Sequence, residues 1–198
     1  MIILGITGPT GSGKTTLLKH IVDRDGCILD LDAIYHELLQ TDERLLRELE
    51  DRFPGVIRDG ALDRKALGAI VFADPEALRD LNAITGKFIL AETDRRLRAA
   101  EAAGVPLAAI DAINLLEGEL SGRCRATIAV IAPVETRVRR IRERDGISEE
   151  YARARISAQR PNEYFAERCG FTLSNDSTRE AFARKCDELL DQILLGKE

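Results

Sequence analysis

Ile2-Ile3-Leu4-Gly5-Ile6-Thr7-Gly8-Pro9-Thr10-Gly11-Ser12-Gly13-Lys14-Thr15-Thr16-Leu17-Leu18 opens the chain, and its reading decides the fold. The apolar run Ile2 to Ile6 has the character of a buried parallel strand. Thr15 to Leu18, continued by Ile21 and Val22, predicts a helix with one apolar face. Between them Gly8 to Thr15 satisfies G-x-x-x-x-G-K-[ST] without a mismatch. Glycines let the backbone curl its N–H groups around phosphate oxygens, and the helix N-terminus adds partial positive charge. Gly8, Pro9, Thr10, Gly11, Ser12, Gly13, Lys14, Thr15 and Thr16 are therefore expected to hold the phosphates of a nucleoside triphosphate. Lys14 would reach the β- and γ-phosphates, and the Thr15 hydroxyl would ligate Mg²⁺. A plain glycine-rich turn with a surface lysine is the alternative, and the flanking strand and helix argue against it.

Length and composition bound what such a loop serves. With 198 residues, 44% apolar and 32% charged, the chain suits one soluble domain over residues 1–198. A net charge of −5 gives no sign of nucleic-acid binding. Cys27, Cys124, Cys169 and Cys186 form no C-x-x-C pair and are expected to be reduced, mostly buried thiols. The N-terminal apolar run is too short for a signal segment, and no stretch approaches the roughly 20 apolar residues that span a membrane. A cytoplasmic protein working on small molecules, with no membrane partner, is the expectation. A monomer is compatible with the sequence.

Four further apolar runs, at 27–29, 106–110, 126–131 and 171–173, alternate with helical patterns. That alternation predicts an α/β fold, a mostly parallel five-stranded sheet flanked by helices. Ligands in such sheets bind beyond the C-terminal strand ends. From about 41 to 104 no strand is evident. Asp63 is a candidate N-cap for Arg64 to Val71, Asp74-Pro75 restarts a helix toward Ala83, and Gly86 to Ala103 suggests a third. This helical insertion is long for a crossover and is expected to form a substrate subdomain, the alternative being an enlarged crossover. Ser177-x-x-Glu180 has the form of a capping box for the last helix.

Polar residues just after the strands are the candidates for chemistry. Asp30 and Asp32 follow the second strand at the sheet edge that carries the loop. Asp32 is the expected base toward an acceptor hydroxyl, although it would also serve as a helix cap. Asp111, ending the strand 106–110, resembles the acid that meets Mg²⁺ through water. Glu117 could face the same cleft. Residues 137–160 hold eight arginines against four acids. Arg137, Arg140 and Arg144 share a stripe beside Val134, Val138 and Ile141. A hinged arginine-rich lid over about 137–162 is expected, delivering guanidinium groups to the transferring phosphoryl group. A solvated charged helix pair is the plain alternative. His20 and His36 have no ligand partners at metal spacing and are expected to be structural.

These segments together resemble dephospho-coenzyme A kinase over nearly the whole chain. The likeness is carried by the loop, by Asp30-Leu31-Asp32-Ala33-Ile34, by Gly60-Ala61-Leu62-Asp63-Arg64 with Val71-Phe72, and by Leu81-Asn82-Ala83-Ile84. Arg140 with Arg144-Asp145-Gly146, Arg155-Ile156 with Gln159, and Asn175 complete it. The resemblance implies transfer of the ATP γ-phosphoryl group to the ribose 3′-hydroxyl of dephospho-coenzyme A. On it Lys14, Asp32, Arg140 and Arg144 are catalytic, Thr15 and Asp111 serve Mg²⁺, and Asn175 lies near the adenine of ATP. Asp32, Arg64, Asn82 and Lys87 fall on the acceptor side. Gly86-Lys87 stands where the family has His-Pro, and Ile113-Asn114-Leu115-Leu116-Glu117 where it has Pro-Leu-Leu-Phe-Glu. A same-fold kinase for another small acceptor is the nearest alternative. A nucleotide-dependent switch is a more distant one, since no Asn-Lys-x-Asp element is present.

Overall fold

The N-terminal apolar run forms the central strand of the main sheet. In the computed structural model, which describes residues 1–196, the strands are β1 (Ile2–Thr7), β2 (Cys27–Asp30), β3 (Ile57–Arg58), β4 (Ala61–Leu62), β5 (Leu107–Asp111), β6 (Ala126–Ile131) and β7 (Phe171–Ser174). The helices are α1 (Lys14–Val22), α2 (Leu31–Thr41), α3 (Glu43–Arg52), α4 (Arg64–Val71), α5 (Pro75–Ala102), α6 (Val134–Asp145), α7 (Glu149–Ser157), α8 (Asn162–Ala166) and α9 (Arg179–Leu195). The five-stranded sheet has the order β2-β5-β1-β6-β7. β1 runs parallel to both β5 and β6, and β6 runs parallel to β7. The chain divides into two compact units, residues 1–29 with the chain from Ala100 onward, and Asp30–Ala99.

The first unit is built on apolar burial. Leu4 and Ile6 of β1, Ile128 and Val130 of β6, and Leu107 of β5 pack with Leu17 and Ile21 of α1 and with Phe182, Cys186 and Leu190 of α9. Removing each such side chain from water contributes about 1.5–3 kcal/mol, so the sheet and these two helices form one cohesive layer pair. The α1–α9 contact is pinned at its rim, where His20 Nδ1 lies 2.8 Å from the Asp187 carboxylate. α9 is capped by Thr178, whose hydroxyl accepts from the Ala181 N–H, and not by Ser177 as the capping-box pattern suggests. Only Cys186 is fully buried, the other three thiols being half-buried.

The second unit consists of helices started by aspartates. Asp30 caps α2, accepting from the N–H groups of Asp32 and Ala33. Asp42 and Asp63 do the same for α3 and α4. Leu45, Leu49, Phe53, Val56, Leu67 and Val71 are buried in it. Three sequence expectations need correction. A two-residue hairpin, β3 with β4, lies inside the stretch read as strandless, turning at Asp59-Gly60. The helix from Pro75 continues through Gly86 to Ala102 without a break, because a single glycine costs a long helix only about 1 kcal/mol. The residue that caps α2 is Asp30, leaving the Asp32 side chain outside the cap. Among the described residues no helix is long and apolar enough to cross a membrane.

Candidate functional site

β1 delivers the chain to the glycine-rich loop, and α1 carries it away. Gly13 at the start of α1 has φ 102°, and no side chain caps this helix. The first-turn N–H groups of an α-helix have no intrahelical partner, so α1 presents donors and the positive end of its dipole at the loop. Lys14 Nζ donates to the Gly8 carbonyl at 3.2 Å and lies 3.8 Å from the Asp111 carboxylate. The ammonium is thus already drawn over the loop, beside the acid that ends β5. Thr15 follows in the first turn with an exposed side chain. A buried Thr7 hydroxyl, donating to the Ile113 carbonyl at 3.1 Å, ties the end of β1 to the turn after β5.

The loop is braced from α6 and from the residue after β7. Arg140 donates to the carbonyls of Gly11 and Ser12 at 3.3 and 3.2 Å and to the Asn175 side-chain oxygen at 3.0 Å. Asn175, nearly fully buried, returns its amide N–H to the Ser12 carbonyl at 2.8 Å. Burial pulls the Arg140 pKa below its ordinary value, with the nearby positive charges of Arg139 and Arg179 adding to the effect. Arg137 is 2% exposed and donates to the Thr10 carbonyl and to Gln159. Gln159 in turn bonds both the N–H and the hydroxyl of Thr10.

The expected arginine stripe therefore divides. Arg137 and Arg140 face the loop, whereas Arg144, one turn further, forks onto Asp145 at 2.6 and 3.0 Å and is exposed. Arg155 of α7 also reaches Asp145, at 2.7 Å, and Arg144 with Arg155 holds that carboxyl down at about 2. Arg153 pairs with Glu135 and Glu149. Val138 and Ile141 of α6 pack on Ala152 and Ile156 of α7. α6 is bonded to the loop through Arg137 and Arg140. Asn175, expected near the adenine of ATP, has its side chain bonded to Ser12 and Arg140. Arg137 and Gln159 as loop braces were missed from sequence. The signal was the flanking position of Arg137 beside the Val138–Ile141 apolar stripe, which places it at the edge of a buried face.

Beside the loop lies a cleft of about 400 Å³, lined by Ile113, Asn114, Glu117, Gln159, Arg160 and Phe165 among others. Glu117 is 4.0 Å from Arg160 there, and the Tyr164 hydroxyl donates to it at 3.5 Å.

The remaining candidates belong to the Asp30–Ala99 unit. Asp32 is exposed in the first turn of α2, and Arg64 is exposed at the start of α4. Burial raises the Tyr35 phenol, and the positive charge of Arg64 partly offsets that shift. Asn82 is exposed on α5. Lys87, also on α5, pairs with Glu48 and lies 5.4 Å from the Phe88 ring centre.

A protein-family model for dephospho-CoA kinase matches residues 2–180. A dephospho-CoA kinase from Anaeromyxobacter dehalogenans is 38% identical over 200 residues, spanning 100% of this chain and 94% of the relative. A Thermus thermophilus crystal structure, 36% identical, superposes with a TM-score of 0.75 and covers 96% of this chain and 97% of its own. A shikimate kinase structure from Bacteroides thetaiotaomicron shares the fold at 15% identity, with a TM-score of 0.56 and coverage of 96% and 98%.

Proposed function

Because the chain belongs to the dephospho-CoA kinase family, we propose how its own residues carry out the phosphorylation of dephospho-CoA by ATP. The single observation that carries the reading is the uncapped α1 N-terminus with Lys14 held over the loop between Gly8 and Asp111. Phosphoryl transfer passes through a loose transition state whose charge spreads over the equatorial oxygens, so positioning and charge neutralisation supply most of the catalysis. Residues 8–16 cradle the ATP phosphates, and Lys14 exchanges its carbonyl and carboxylate partners for phosphate oxygens.

Mg²⁺ is the metal this site suits. Its donor set is hard oxygen only, the Thr15 hydroxyl and the Asp111 carboxylate, and Mg²⁺ binds through one or two such groups while keeping waters and substrate phosphates. Bound there, it would neutralise charge on the phosphate oxygens.

We assign Asp32 as the base toward the ribose 3′-hydroxyl. Support comes from its exposure and from Asp30 having taken the capping role, which leaves the Asp32 carboxylate available for a proton. Arg64 and Asn82, both exposed, are proposed on the acceptor side, with Lys87 released from Glu48 when substrate binds. Arg140 and Asn175 support the nucleotide through the loop they brace. Arg144 acts on a transferring phosphoryl group only after leaving Asp145. The helical stretch 41–104 is proposed to bind the acceptor, and the arginine-rich stretch of about 137–162 to serve as the lid, its outer arginines moving while Gln159 keeps its hold on Thr10. A cytoplasmic enzyme with small-molecule substrates fits this role.

The test is ADP release in a coupled assay with dephospho-CoA, AMP, CMP, shikimate or gluconate as acceptor. Stimulation strongest with dephospho-CoA is expected. Clear preference for another acceptor, or ADP release indifferent to all five, overturns the assignment.

A further inference from the structure

We propose that Arg137 and Gln159 form a clamp on Thr10 that holds the phosphate loop in its nucleotide-receiving shape. Arg137 is then a positioning residue and no phosphate ligand.

A loop that turns its N–H groups toward an anion turns carbonyls the other way, and a buried carbonyl needs a donor. At Thr10 every polar group of the residue is taken by this pair. Its carbonyl accepts from Arg137 Nε at 2.9 Å, its N–H donates to Gln159 Oε1 at 3.0 Å, and its hydroxyl accepts from Gln159 Nε2 at 2.8 Å. Arg137 Nη2 closes the ring by donating to the same Gln159 oxygen at 3.0 Å. The carboxamide thus has its oxygen and nitrogen orientation fixed by two different partners, since a flipped amide would set N–H groups against N–H groups.

The clamp's placement explains its composition. The Arg137 side chain is 2% exposed, so it is shut away from any phosphate in solution. Its backbone lies against the loop as well, because a Cβ on Gly11 would come within 3.1 Å of the Arg137 carbonyl oxygen. A planar guanidinium can serve the Thr10 carbonyl and the Gln159 oxygen together, which a lysine ammonium on a flexible stem does poorly. Gln159 follows α7, so the ring also ties the arginine-rich segment to the loop.

The proposal rests on reading residues 8–16 as the ATP site, and its test separates the two. ADP affinity by titration calorimetry, with kcat, both KM values and melting temperature, is measured for wild type, Arg137→Met, Arg137→Lys, Gln159→Leu and the Met/Leu double variant. Losing a hydrogen bond made by a charged group predicts about 10-fold or more weaker ADP binding and a matching rise in the ATP KM for Arg137→Met. The dephospho-CoA KM should stay near wild type, and Arg137→Lys should not restore ADP affinity. The double variant should be little worse than either single, because both break one ring. Should Arg137→Met fail to fold, Gln159→Leu carries the same expectation. Wild-type ADP affinity in a folded Arg137→Met or Gln159→Leu, or losses that multiply in the double variant, overturns the clamp. Lowered melting temperature with unchanged ADP affinity also overturns it, leaving Arg137 a packing residue. Failure of the wild type to bind ADP overturns the nucleotide site itself.

Discussion

Gly8 and Gly13 show how tightly single residues determine the loop. A Cβ on Gly8 would stand 2.1 Å from the Val130 carbonyl oxygen, and one on Gly13 2.2 Å from Asn175 Nδ2, with φ at 136° and 102°. Both are conformations and spaces that only glycine fills. Gly13→Ala should therefore push Asn175 off Ser12 and lower both melting temperature and ADP affinity, measured by calorimetry on the purified variant. Lys14→Ala should leave the fold intact and lower kcat about 10²-fold or more, the usual loss when an electrostatic contact to the transition state goes. Arg140→Ala should depress turnover well beyond Arg144→Ala, because Arg140 braces two loop carbonyls while Arg144 is occupied at the surface. Equal effects would mean that the segment rearranges around bound ATP. The loop was legible in the sequence because its glycines, Lys14 and Thr15 act within eight consecutive residues. The direction taken by Arg140 and Arg144 was not, since spacing along a helix gives a common face and leaves open what packs there.

Among the elements, helix starts carry most of the local information. Asp63 was readable as a cap because it directly precedes the helical pattern. Asp30 and Asp32 were both admissible around the end of β2, and the choice depended on where the strand stops, which local sequence leaves uncertain by a residue or two. Gly86 shows the converse. It reads as a break, yet α5 passes through it, and a Cβ added there would meet nothing within 4 Å. Gly86→Ala should stabilise the protein by about 0.5–1 kcal/mol, measurable by urea unfolding. A proline at position 87, matching the family pattern, should destabilise it instead, since it falls inside the same helix.

Asp145 joins α6 to α7 through Arg144 and Arg155. Its folded pKa, at about 2, lies below the ordinary aspartate value of about 3.9. The pairing therefore favours the fold above about pH 4 and is lost as pH falls toward 2. Asp145→Asn should lower the melting temperature slightly at pH 7, and the gap to wild type should narrow across that window. Side-chain carbon NMR should find the Asp145 carboxyl titrating well below 3.9.

For the molecule as a whole, the main sheet was legible because its inner strands β1, β5 and β6 are mostly buried and read as short apolar runs. The β3–β4 hairpin was not, because two-residue strands are too short to show alternation. The resemblance to dephospho-CoA kinase reached further than the loop because Leu62-Asp63-Arg64 and Leu81-Asn82-Ala83-Ile84 lie in the helical unit, far along the chain from it. The most direct test is to map the product of the full chain incubated with ATP, Mg²⁺ and dephospho-CoA, by mass spectrometry and phosphorus NMR, beside Asp32→Asn. The account predicts coenzyme A bearing one new phosphomonoester at the ribose 3′ position, with product formation collapsing in Asp32→Asn while ADP binding persists. A phosphoryl group at another position, or no phosphorylated product from a chain that binds ADP, would contradict it.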